Sequence, residues 1–147
     1  MSNDLNVRLA GHTRIDFDRK QIRKALRNEG RGVQKEARRL VARRAISAPG
    51  DFPGRVTGTL WRSIKSKVSR PGFLVRIAPQ KTAEMGRDFY PAFLGYGVRP
   101  SPNGKGGSSN GWRIEPRDNY MVEALNRRRP VSEVALRAAL QNALIPR

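Results

Sequence analysis

The chain has 147 residues, no cysteine, and 30 Lys and Arg against 12 Asp and Glu, a formal charge of +18. Disulfides, thiolate metal sites and cysteine nucleophiles are excluded, and the charge far exceeds what solubility needs, so an anionic partner, nucleic acid or acidic protein, competes with the plainer reading of a solvated basic surface. The length fits one domain, 1–147, with a modest core, and 14 Gly with 10 Pro imply much turn and loop.

The N-terminus lacks a basic region followed by an apolar run, and no apolar stretch approaches the ~20 residues of a membrane span, so the expectation is a soluble protein without a membrane partner. Residues 1–17 offer Val7, Leu9, Ile15 and Phe17 as anchors, with alternation that permits a short strand. From Asp18, a fitting N-cap, Ile22, Leu26, Val33, Ala37, Leu40 and Val41 recur at helical spacing and predict one long helix ending near Ile46. Gly30 and Gly32 inside it cost about 1 kcal/mol each relative to alanine and point to a kink, a break or a close packing contact. The apolar stripe keeps its phase across them, which favours a single helix over a helix-turn-helix.

Ala48 to Gly54 reads as an extended loop. Ile64–Val68 and Phe73–Ile77 alternate at period two and predict a hairpin that buries Ile64, Val68, Phe73, Val75 and Ile77, with Pro71-Gly72 central in a type II turn. Asp88 is the expected cap of a short helix through Phe89 to Leu94, and Gly95-Tyr96-Gly97 then turns the chain. Residues 99–111, without an apolar side chain, read as a mobile loop. Trp112-Arg113-Ile114 suggests a short strand, and Asp118 a cap for a helix bearing Tyr120, Met121, Val122 and Leu125. Pro130 is expected to interrupt that helix and start another, which carries Val134, Leu136, Leu140 and Leu144 to the end. Its apolar character on several sides makes Leu136, Leu140 and Leu144 candidate subunit contacts.

Catalytic chemistry finds little support. His12 is the lone histidine and sits in a weakly patterned segment, and no nucleophile elbow or triad spacing is present. The carboxylate pairs Asp16 with Asp18, Glu84 with Asp88, and Glu115 with Asp118 are explained by caps or surface ion pairs more readily than by a hard cation. Gly104 to Ser109 lacks the spaced GxxxxGK[ST] order of a phosphate loop. The reading is therefore a non-enzyme without a cofactor or metal.

The electrostatic signal is sharper. Arg19, Arg23, Arg27, Arg31 and Lys35 recur every four residues and form a ridge beside the apolar stripe, mildly destabilising to the helix unless an anion relieves it. Duplex DNA, an acidic protein and plain solvent all remain open as its partner. Arg127-Arg128-Arg129 is read as a cluster at a helix C-terminus, complementing the dipole. Aromatic residues are not interleaved with the ridge in sequence, so contact with DNA would be through phosphates.

Val56-Thr57-Gly58-Thr59-Leu60-Trp61-Arg62-Ser63-Ile64 resembles the "TGxLxxSI" signature of the neck and tail-completion proteins of long-tailed bacteriophages, also described as minor tail components. Tyr90-Pro91-Ala92-Phe93-Leu94-Gly95-Tyr96-Gly97 resembles their "YAxFxExGT" segment, and Asn119 to Leu125 their "PFxxPAL". The motif positions are Gly58, Leu60, Ser63, Ile64, Tyr90, Phe93, Tyr96 and Gly97. The chain departs where the family carries a glutamate, here Gly95, and lacks the second proline of the last motif. The resemblance implies an α+β fold: a small antiparallel sheet packed by a long N-terminal helix and C-terminal helices. It also implies a structural virion protein, assembled in the host cytoplasm, that forms a homo-oligomeric ring in the neck. Its expected partners are the portal, adaptor or head-closure protein on one side and the tail terminator or tube on the other, with genomic duplex DNA in the channel. A closing ring needs two different sticky surfaces, for which the 99–111 loop with Lys105 and the last helix are the candidates. The alternative is a non-specific nucleic-acid-binding module.

Overall fold

The computed structural model describes residues 15–44, 46–100 and 111–146. It is an α+β fold in which two long helices lie antiparallel and two short antiparallel ribbons attach to them. The elements in order are β1 (Ile15–Phe17), α1 (Arg19–Leu40), α2 (Thr59–Ser63), β2 (Ile64–Val68), β3 (Val75–Pro79), a 3-10 turn (Ala83–Met85), α3 (Tyr90–Tyr96), α4 (Tyr120–Ala143) and β4 (Leu144–Pro146).

Helix α1 begins where its sequence says it should: the Asp18 carboxylate accepts from the backbone N–H groups of Lys20 at 2.9 Å and Gln21 at 3.4 Å. It runs unbroken through Gly30 and Gly32 and buries Ile22, Leu26, Gly30, Val33 and Ala37. Gly30 is the close contact. A Cβ there would lie 2.5 Å from Ser66 Oγ and 2.6 Å from Val75 Cγ2, so only glycine lets α1 settle this deeply onto the hairpin. The helix stops at Leu40, six residues before Ile46. Ala42 N–H tightens the last turn onto Arg39 O, and Arg43 O accepts instead from Arg55 N at 2.7 Å. The chain beyond the helix is thus tied to the following loop, and Ile46 is left 89% exposed.

Strands β2 and β3 pair in the register Ile64↔Pro79, Ser66↔Ile77 and Val68↔Val75. Their connection is wider than a two-residue turn: Ser69 N–H donates to Leu74 O, and Gly72 N–H, with its φ at +87°, closes on Ser69 O. Pro71-Gly72 are therefore not the two central residues of the turn. Phe73 lies in this loop, 53% exposed, rather than on the buried face. β1 and β4 pair the segment before α1 with the segment after α4, with Asp16 opposite Ile145 and Phe17 opposite Leu144.

Three further expectations change at the helices. α3 starts at Tyr90 after Phe89, with no side-chain cap from Asp88 and with Pro91 in its first turn. α4 is capped by Asn119, not Asp118; the Asn119 side chain accepts from Met121 N at 3.1 Å and Val122 N at 3.2 Å. Pro130 does not divide α4, which is continuous from Tyr120 to Ala143. The proline removes one backbone donor, but a side-chain latch spans it: Glu29 Oε2 on α1 accepts from Arg128 at 3.1 Å and from Ser132 Oγ at 2.6 Å. Trp112–Ile114 forms no strand beyond a single bridge between Val98 and Ile114.

Two apolar clusters hold these elements. One unites Val33 and Ala37 of α1 and Val41 just past its end with Leu60, Ile64, Tyr120 and Ala124, flanked by Phe52, Trp61, Ile77, Tyr90 and Leu94. The other packs Phe17, Val75, Leu136 and Leu140 around Ile22, Leu26 and Ala143.

Candidate functional site

The segments that carry the family resemblance, far apart in sequence, meet around the first cluster. Gly58 caps α2 with φ +80°, a conformation open to glycine, and its carbonyl accepts from Arg62 N. Leu60 and Ile64 are buried in the core, and between them Ser63 Oγ donates to Leu60 O at 2.7 Å, so the buried hydroxyl is satisfied as α2 passes into β2. Thr59 Oγ1 and Arg62 both reach Glu84 Oε2, at 2.9 and 2.7 Å, which ties this junction to the turn after β3. The Arg62 hydrogen bond, reinforced by that of Thr59, holds the Glu84 carboxyl below its usual range.

Tyr90 packs on this cluster and is hydrogen-bonded with the Leu60 backbone; burial nonetheless pushes its phenol up, and burial does the same to Tyr120 beside it. Gly97 is tightly enclosed: at φ +73°, a Cβ would meet Trp112 at 2.8 Å and the Ile114 carbonyl at 2.9 Å. Phe93 and Tyr96, by contrast, face outward from α3, Tyr96 with 84% of its surface exposed.

The basic ridge has a definite setting. With Gly30 against the hairpin, ~100° per residue puts Glu29, Val33 and Glu36 on one flank of α1 and Arg27, Arg31 and Arg38 on the other. The first flank meets α4. Glu29 pairs there with Arg128, and Glu36 binds Arg39 at 2.6 Å and Arg127 at 3.5 Å. The Arg39 hydrogen bond holds the Glu36 carboxyl below its usual range against the opposing effect of burial. Arg127, Arg128 and Arg129 thus lie in the middle of α4 rather than at a C-terminus, and each has a glutamate: Arg127 also bonds Glu123, and Arg129 lies 3.7 Å from Glu133.

The other flank has no such neutralisation. Among the described residues, Arg19, Arg23, Arg27, Arg31 and Lys35 form no salt bridge. Instead Arg23 donates to Arg70 O at 3.2 Å, and Gln34 and Arg38 both donate to Ile64 O, at 2.7 and 3.0 Å. Aromatic rings separated from the ridge in sequence come to it in space. Arg19 lies over Phe73 at 5.9 Å, and Trp61 receives Arg38 at 4.6 Å and Arg55 at 5.1 Å. A groove of about 330 Å³ follows, lined by Arg31, Gln34, Lys35, Arg38, Arg39 and Trp61. Trp61 is thus engaged by guanidinium groups already, which leaves phosphate or carboxylate contact as the chemistry of this face.

The candidate subunit contacts on the last helix are partly spent. Leu136 and Leu140 pack against Ile22 and Leu26, and Leu144 belongs to β4. The larger apolar groups α4 leaves outward include Val131 and Val134, 55% and 71% exposed, one turn apart. Lys105, His12 and residues 101–110 of the loop lie outside the described residues. Among those described, no three acidic or histidine side chains gather as a metal site would need, and no helix is long and apolar enough to cross a membrane.

No protein-family model matches the chain, and neither a curated protein nor a solved structure matches it.

Proposed function

We propose that this chain is a structural protein of the neck of a long-tailed bacteriophage, forming a ring that joins the head connector to the tail. The observation that carries the reading is the convergence just described: Leu60 and Ile64 from the first motif, Tyr90 and Leu94 from the second, and Tyr120 and Ala124 from the third pack as one unit. The three segments thus contribute to one core, as the resemblance requires. The same unit leaves Phe93 and Tyr96 on its surface, and aromatic side chains of this kind are what a subunit contact uses. The portal or head-closure protein and the tail terminator or tube protein are the partners this function requires.

Native mass measurement with negative-stain microscopy tests it, on the protein alone and with a head connector. The expected result is a closed ring whose mass is an integer multiple of the 16.5 kDa chain. A monomer or dimer that never assembles, yet binds duplex DNA with a steep salt dependence, would favour the second reading, a non-specific nucleic-acid-binding module. That reading draws on the ridge of cations without carboxylate partners.

A further inference from the structure

The unneutralised flank of α1 borders an open strand edge. The bonds Gln80 N to Ser63 O and Ser69 N to Leu74 O fix which backbone groups of β2 point at β3. With the observed register, Lys65 and Lys67 are the hydrogen-bonded positions, and the N–H and C=O groups of Ile64, Ser66 and Val68 point the other way. Among the described residues no strand pairs on that side, the sheet there consisting of β2 and β3. Helix α1 closes the two ends of this edge. Gln34 and Arg38 take the Ile64 carbonyl at one end, and Arg23 takes the Arg70 carbonyl at the other. The stretch of helix from Arg23 to Gln34 is about 16 Å long, and β2 from Ile64 to Val68 rises about 13 Å before the loop reaches Arg70, so Arg27 and Arg31 fall alongside the open middle, Ser66 and Val68.

We propose that this edge receives an extended acidic segment of another polypeptide as a third strand, its backbone pairing with Ser66 and Val68 and the carboxylates on one face of the strand meeting Arg27 and Arg31 on the helix side. The inference stands on the β2 edge and does not depend on the ring. An edge offers alternating donors and acceptors, which a peptide strand satisfies in turn; phosphates would accept from the N–H groups but be repelled by the carbonyls between them. A second copy of β2 is disfavoured, since pairing edge to edge would set the same cations against one another. The chain's own segments 1–14 and 101–110 hold Asp4 as their only side-chain carboxylate, so they lack the complementary charge.

A short synthetic peptide alternating glutamate with valine is the probe. It is compared with copies N-methylated at the glutamates or at the valines, which keep the charge but block one edge each. Binding is read by fluorescence anisotropy, and amide exchange by NMR on the full chain. The expected results are a weakening of about tenfold, equal to one or two net hydrogen bonds, for one methylated copy, and slower exchange at Ser66 and Val68 while Lys65 and Lys67, already paired with β3, hardly change. The variant Arg27→Glu/Arg31→Glu, on exposed side chains, should abolish binding with the hairpin intact. The proposal is overturned if both methylated copies bind like the parent peptide. It is equally overturned if Ser66 and Val68 are already protected in the free protein, or if duplex DNA displaces the peptide while their exchange stays the same as in the free chain.

Discussion

The two flanks of α1 carry similar side chains and have opposite fates. Toward α4, Glu29 and Glu36 meet Arg128 and Arg127, so helix–helix packing and charge neutralisation happen in the same interface. Toward the hairpin, cations meet backbone carbonyls and aromatic rings and, among the described residues, no carboxylate. The first flank is finished within the chain, whereas the second is stabilised only in part and keeps charge for something else. A high net charge is thus not spread evenly over the molecule, and one helix can serve both as core and as binding surface.

The sharpest way to break this arrangement is at the line between the flanks. Gly30→Leu would drive a side chain into Ser66 and Val75, and a destabilisation of about 3 kcal/mol, at the upper end for overpacking, is expected in chemical denaturation despite the better helix propensity. The hairpin should loosen first, visible as faster amide exchange in β2 and β3.

Next comes the finished flank. Glu29→Ala removes the acceptor shared by Arg128 and Ser132 in a largely covered site, and a loss of about 2 kcal/mol is expected, discounted from the buried-pair range because Arg128 keeps some solvent. The same latch spans Pro130, so the variant should also fray the C-terminal half of α4, measurable by circular dichroism.

The pH dependence is smaller and also belongs to that flank. Glu36 has its folded pKa held below the unfolded value of about 4.3. Its contribution is therefore full above that value and is lost as pH falls through the folded one. Thermal melts of the parent should decline on acidification below about pH 4.3, and Glu36→Gln should flatten the decline. An equally steep decline in the variant would assign it to other carboxylates.

Much of this was legible in the sequence where the cause is local. The Asp18 cap and the apolar stripe of α1 are written in spacing alone, and so is the continuity across Gly30. What eluded the sequence depends on partners distant along the chain. Beyond Leu40 the chain is held by Arg55 bonding to the Arg43 carbonyl, and Glu29 reaches across Pro130 in α4. Trp61 and Phe73 look remote from the ridge until α1 packs on the hairpin. Arg127 to Arg129 resembled a terminal cluster because their glutamates sit mostly on another helix or a turn away. For the outward-facing Val131 and Val134, helical phase relative to Leu136 and Leu140 was the available signal.

The contrast between the flanks is tested most directly by the stability of Arg27→Glu/Arg31→Glu, measured by urea denaturation at low salt beside the parent. The new carboxylates would stand one turn from Arg23 and Lys35, in a row that now repels itself, so stability should hold within about 0.5 kcal/mol or rise. A loss above about 1 kcal/mol, comparable to a broken internal pair, would mean that the chain itself uses these arginines and that this flank is not left for a partner.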